Sequence, residues 1–188
     1  MPGLGNGMAG QNEESMKKTT EKTTMKCIRY FAGILALVWM CVIFAFSAQT
    51  KEESSAVSES LSYRMVTSTG HFFHWNLDEE QMREIANAIE HFVRKAAHMT
   101  EFAILAILVF IWLGLWEIAL LRKSVAAFLV AAVYAASDEF HQLFVPGRSG
   151  RISDVLIDSS GALLGVIIFV VLGKLAQMLK RRKDRKRK

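Results

Sequence analysis

FAILAILVFIWLGLWEIALL occupies residues 102–121, the basic pair Arg122-Lys123 follows, and SVAAFLVAAVYAASDEFHQLF runs from 124 to 144. Two apolar blocks of this length, parted by one charged pair, read as a helical hairpin that crosses a membrane twice. A bilayer core of about 30 Å takes roughly 20 apolar residues at 1.5 Å of rise each. The second block is unbroken only from Ser124 to Ser137, so its helix must carry Asp138, Glu139, His141 and Gln142 to reach Phe144. Pro146 and Gly147 then stop it. The turn between the two spans is expected at Arg122-Lys123.

Upstream, the stretch from Ile28 to Phe46 carries no charge after Arg29 and has aromatics at several turns, among them Phe31, Trp39, Phe44 and Phe46. Ala45-Phe46-Ser47 before Ala48 faintly resembles a signal-peptidase site, but an apolar stretch of about 19 residues exceeds a usual signal core and reads as a span. Downstream, a fourth block runs from Val155 to Met178, with Ser153 or Asp154 as its expected N-cap and Lys174 placed to snorkel. The expected fold is an all-α membrane protein with four transmembrane helices, at about 28–47, 100–121, 124–144 and 155–178. Segment 1–26 is polar and expected to be a disordered N-terminus, 27–179 is the membrane domain, and 180–188 is a tail of eight basic residues and one Asp.

The net charge of +5 is concentrated at the termini and in one short turn beside apolar blocks. That pattern favours anionic inner-leaflet lipid at the basic tail and argues against nucleic acid. Lys17, Lys18, Lys22, Lys26 and Arg29, then Arg122 and Lys123, then the tail all fall on one side of the four spans, so that side is cytoplasmic and both termini lie there. The expected location is the cell membrane. Cys27 and Cys41 stand fourteen helical residues apart, roughly 21 Å, too far to bond within one helix.

The outer loop, 48–97, is long for a connection and is expected to carry amphipathic helices. Asn76 followed by Glu79 resembles a capping box, and Met82, Ile85, Ile89, Phe92 and Ala96 form an apolar stripe running toward the second span. The stretch 52–66 is more weakly amphipathic.

Counting from the cytoplasmic charges at 1.5 Å per residue puts Asp138 roughly 22 Å and His141 roughly 27 Å across the membrane, with Ser47, Glu101 and Asp158 at similar depth. Helical spacing gives Lys95, His98 and Glu101 one face, Asp138 another with His141 and Gln142, and Asp154 a third with Asp158. Arg148 and Arg151 sit in the loop between the last two spans. Charges in lipid are costly unless they meet one another, water or a ligand, so an outward-facing polar site is expected here. Charges near span ends also serve as anchors and caps. Gly161 and Gly165 have the spacing of a close helix crossing, and Glu117 reads as an interfacial acid.

Lys95-x-x-His98-x-x-Glu101-Phe102, then Ser137-Asp138-Glu139-Phe140-His141-Gln142-x-x-x-Pro146-Gly147-Arg148, then Asp154 with Gly161 and Gly165, together resemble the VanZ-like family of bacterial membrane proteins. The resemblance extends upstream to Phe46-Ser47-x-Gln49 and covers roughly Ile28 to Leu172. Phe102 stands where the family often has Tyr, and Asp158 where it often has a small or amide residue. The founding member is associated with resistance to the glycopeptide teicoplanin, so the resemblance implies a role in the cell envelope and, through it, in antibiotic resistance.

The leading reading is an outer-leaflet pocket that binds, and through its acids has the means to modify, an envelope amphiphile or lipid-linked precursor. Ser47, Gln49, Lys95, Gln142, Arg148, Arg151, Asp154 and Asp158 would bind it, the cations holding an anionic headgroup. An enzyme version assigns acid and base work to Asp138, Glu139, His141, His98 and Glu101. No nucleophile motif is present, so whether any reaction follows stays open. His98, Glu101, His141 and an Asp are permissible metal ligands, but no Cys joins them and no metal is assigned. No cofactor or oligomeric state is read from the residues. The alternative is a small transporter or a non-catalytic shielding or interaction protein. Transport needs a polar path inward, and the inner halves of the spans are apolar apart from Glu117 and Lys174.

Overall fold

A computed structural model describes residues 5–186, with the side chains of 5–15, 17–19 and 186 left aside. Residues 1–4 of the N-terminal segment and 187–188 of the basic tail lie outside the described residues. The described chain is all helix and turn: α1 (Gly5–Ser47), α2 (Lys51–Phe72), α3 (Glu79–Gly114), α4 (Leu120–Gln142) and α5 (Ile152–Lys186). Four of these, all but α2, contain stretches long and apolar enough to cross a membrane. The chain is a multi-pass membrane protein.

The bundle core is built from small residues. Ala106, Ala127, Ala131, Ala135 and Ala162 are fully buried with Phe102 and Leu105, while Leu37, Val133, Ile168 and Leu172 are more than half exposed. Such a surface suits lipid, and small side chains let the backbones approach closely. A Cβ on Gly161 would lie 2.3 Å from the Met99 carbonyl oxygen, and one on Gly165 would lie 2.7 Å from that of Ala103, so α5 crosses α3 with no room for a side chain. Trp39 Nε1 donates to the Glu101 carbonyl at 2.9 Å and Tyr134 Oη to the Met40 carbonyl at 2.6 Å, fastening α1 to both neighbours.

Several boundaries differ from the sequence expectation. The segment read as a disordered N-terminus is helical from Gly5. Extending an existing span needs no new nucleation, and the Thr20 and Thr24 hydroxyls donate to carbonyls four residues back. The turn expected at Arg122-Lys123 lies instead at 115–119, where Glu117 adopts a left-handed φ of 57°, and both basic residues belong to the first turn of α4. Apolar residues surround Glu117 in that turn, so hydropathy averaged over the segment could not find it; Gly114 was the available stop signal. The second span and the outer amphipathic helix are one helix, α3. Its capping box is formed by Asp78 and Gln81, not Asn76 and Glu79: the Asp78 side chain accepts from the Gln81 N–H at 2.8 Å and the Gln81 side chain from the Asp78 N–H at 3.0 Å. α5 begins at Ile152, so neither Ser153 nor Asp154 is its cap.

α2 also opens on a capping box, Thr50 with Glu53, and packs back along the first half of α3. Its buried face is Ser58, Ser62, Val66 and Gly70. Arg83 lies over the Tyr63 ring at 4.9 Å, and Arg94 donates to Ser55 Oγ at 2.8 Å.

The four spans have two unlike ends. At one, Arg29 donates to the Leu115 carbonyl at 2.7 Å and lies over the Trp116 ring, and Lys123 sits over Phe110. At the other, α1 and α4 terminate, α5 begins, and α3 passes through toward α2.

A polar cavity at the end of the four spans

At this second end lies a cavity of about 280 Å³. α2 supplies Lys51 and Ser54, and α3 supplies His91, Arg94, Lys95 and His98. α4 brings Glu139 and Gln142, the connecting loop Gly147 to Arg151, and α5 Asp154, Ile157 and Asp158. The loop is shaped by Gly147, whose φ of 74° is left-handed and where a Cβ would crowd the Lys51 Cβ at 3.1 Å. Gly150 is equally constrained, because a Cβ there would come within 2.5 Å of the Glu139 carbonyl. These two glycines press the arginine-bearing loop against α2 and α4.

The walls are held by polar contacts between elements. Lys95 Nζ pairs with Asp154 Oδ1 at 2.7 Å, tying α3 to α5. The Arg151 N–H donates to Glu139 Oε2 at 2.9 Å, tying the loop to α4. Arg94 is paired with Glu90 and also reaches Ser58 Oγ at 3.3 Å. Beneath the cavity, Gln142 Nε2 donates to Ser47 Oγ at 3.1 Å and to Asp138 Oδ2 at 3.2 Å.

Five cationic side chains, Lys51, Arg94, Lys95, Arg148 and Arg151, meet three carboxylates, Glu139, Asp154 and Asp158, around this space. Arg94 and Lys95 are neutralised within the protein; Lys51, Arg148 and Arg151 form no ion pair among the described residues. Among the described residues the Arg148 side chain donates only to the Phe46 carbonyl, at 3.4 Å. Burial lowers its proton affinity and nearby Asp138 raises it, and a guanidinium stays charged against a downward pull of this kind. Asp158 is 4% exposed, faces the cavity, and has no hydrogen bond or ion pair among the described residues.

Of the residues singled out in the sequence, Lys95, His98, Glu139, Gln142, Arg148, Arg151, Asp154 and Asp158 line the cavity. Ser47 and Asp138 are buried just behind it, through Gln142. Glu101 lies one turn beyond His98, with its Oε2 3.4 Å from the His98 Nδ1 and accepting no hydrogen bond among the described residues. Gln49 belongs to the short α1–α2 connection and does not line the cavity. His141 is not brought to Asp138: its ring packs on Phe44 with centroids 4.5 Å apart, and its buried Nε2 has no hydrogen-bond partner among the described residues. His98 and His141 therefore serve different surfaces, and no group of three His, Cys, Asp or Glu among the described residues is placed to hold a metal ion.

Sequence reasoning missed Lys51, His91 and Arg94. For the last two the signal was present, since His91, Arg94, Lys95 and His98 recur at helical spacing on one face of α3. Lys51 reaches the cavity only because α2 begins beside Pro146-Gly147.

Neither a curated protein nor a solved structure matches the chain. A family model described as VanZ/LLP1 matches residues 32–173, a range that holds the entire cavity and most of each span. The chain belongs to the VanZ/LLP1 family.

Proposed function

We propose that the cavity receives the anionic headgroup of a cell-envelope amphiphile from the outer leaflet of the cytoplasmic membrane. The observation that carries this reading is the trio Lys51, Arg148 and Arg151, unpaired with any carboxylate and gathered at the end of the spans opposite the basic flanks. By the bias of Lys and Arg toward the cytoplasm, those flanks face inward and the cavity outward, with both termini inside. Two guanidinium groups and an ammonium suit a phosphate, which Arg can take in bidentate fashion. The exposed apolar flanks of α4 and α5, among them Phe140, Leu143 and Leu156, would lie along the acyl or prenyl chain. At about 280 Å³ the cavity is headgroup-sized, just below the roughly 300 to 1,000 Å³ usual for pockets that hold a whole drug-sized ligand.

Glu139 and His98 line the same space and would give a bound headgroup an acid and a base, with Asp138 behind them. A resistance role against a teicoplanin-type glycopeptide would follow from sequestering or altering that amphiphile on the face where a lipophilic antibiotic acts. The transport alternative is disfavoured by the opposite half of the bundle, which is packed with Ala106, Val109, Ala127 and Val166.

The test is titration of the purified full-length chain, in uncharged detergent, with short-chain phosphatidylglycerol. Arg148→Ala and Arg151→Ala should each weaken binding by about tenfold or more, the worth of one charge-assisted contact. Equal affinity in wild type and both variants would refute the reading.

A further inference from the structure

The three carboxylates around the cavity are not in equivalent positions. Asp154 is neutralised by Lys95 at 2.7 Å, and Glu139 accepts the Arg151 N–H at 2.9 Å. Asp158 has neither kind of partner, although it is 96% removed from solvent by its 4% exposure and opens onto the same space. The nearby basic groups are engaged elsewhere or belong to the loop: Arg94 with Glu90, Lys95 with Asp154, His98, which also faces this space, with Glu101 at 3.4 Å, and Arg148 and Arg151 in the loop before α5. Asp158 follows the start of α5 at Ile152 by six residues, roughly 9 Å along the helix. A carboxyl group that faces a cavity without a hydrogen bond or ion pair from the protein is open to a donor on a ligand, and a cationic donor suits it best.

We propose, resting on the headgroup reading above, that the ligand carries a primary ammonium as well as a phosphate, and that Asp158 receives the ammonium while Lys51, Arg148 and Arg151 hold the anion. The division of charge around the cavity, with unpaired cations on α2 and in the loop and an acid on α5 that has no hydrogen bond or ion pair among the described residues, matches a zwitterion better than a plain anion. A uniformly anionic group would meet Asp158 as a like charge. Asp158 is then the specificity-determining residue: it discriminates between headgroups by whether they bring a donor, not by how strongly the arginines attract them. Aminophospholipid headgroups and free amino-phosphates share this chemistry.

The experiment compares short-chain phosphatidylethanolamine, its N-acetylated form, phosphatidylglycerol and soluble O-phosphoethanolamine on the full-length chain. Wild type should bind phosphatidylethanolamine about tenfold or more tighter than either lipid lacking the ammonium, the worth of one hydrogen bond to a charged group. Asp158→Asn should erase that preference by weakening phosphatidylethanolamine about tenfold, while phosphatidylglycerol, relieved of a like charge, binds at least as tightly as to wild type. Loss of the preference in Asp158→Asn with phosphatidylglycerol binding retained separates this proposal from the headgroup reading itself. Wild type that binds all three lipids equally, or a preference that survives Asp158→Asn, would overturn the proposal while leaving the anion site standing. Binding of none of them would overturn both. Soluble O-phosphoethanolamine matching the lipid would keep the ammonium site and make its ligand a soluble one. The wild-type comparison of the free and acetylated amine stands even if the variant does not fold.

Discussion

Gln142 on α4 and Ser47 at the end of α1 are joined by a hydrogen bond of 3.1 Å, and the same Gln142 Nε2 lies 3.2 Å from Asp138 Oδ2. All three side chains are at least 93% buried, so the contact closes the polar end of the bundle beneath the cavity. Hydrogen bonds between membrane helices average about 0.6 kcal/mol and reach about 2 kcal/mol. Gln142→Ala should therefore lower the unfolding free energy in detergent by about 1 kcal/mol, and Ser47→Ala by somewhat less. In a double-mutant cycle the two losses should be coupled by at least about 0.5 kcal/mol; strictly additive losses would mean the bond does not form.

The crossing of α3 and α5 depends on Gly161, since a methyl group there would meet the Met99 backbone at 2.3 Å. Gly161→Ala should cost about 1 to 3 kcal/mol by forcing the helices apart. Gly173→Ala is the control, because nothing lies within 4 Å of a Cβ there. Thermal unfolding of both variants would show a drop in the first and little change in the second.

Topology follows from the basic flanks. In a background with Cys27 and Cys41 replaced by Ser, a membrane-impermeant thiol reagent added to intact cells should label cysteines placed at Ser68 and Ser149. It should not label one at Arg122 or Arg185 until the cells are opened. External labelling at residue 122 would invert the orientation and move the cavity to the cytoplasmic side.

Asp138 and His141 are three residues apart on α4, yet their contacts diverge: one meets Gln142, the other Phe44. Asp138→Asn and His141→Ala should therefore act independently on headgroup binding, His141→Ala by about twofold or less. A double variant no worse than either single one would indicate that the residues function as a pair.

The spans and the location of the polar layer were legible because hydropathy and helical rise are both local properties of the chain. Asp158 could be placed in that layer by depth, Lys95 and His98 by their helical spacing from Glu101, and Arg148 by its position in the loop between the last two spans. What the sequence did not display were the features decided by tertiary contact. The turn at 115–119 is apolar apart from Glu117, the residue with the left-handed backbone on which it rests. The rotation of α4 sends Gln142 into the bundle and His141 toward Phe44, although both follow Asp138 within a helical turn. Lys51 joins the cavity only through the packing of α2 on the Pro146-Gly147 turn.

The central claim is that the cavity holds an anionic headgroup, and the most direct measurement is an experimental structure of the full-length chain in a nanodisc of bacterial lipids. The expected result is headgroup density in contact with Arg148 and Arg151, continuous with chain density along Phe140, Leu143 and Leu156. A cavity filled by solvent alone, with ordered lipid around the spans but none entering between α2 and the 147–151 loop, would contradict it.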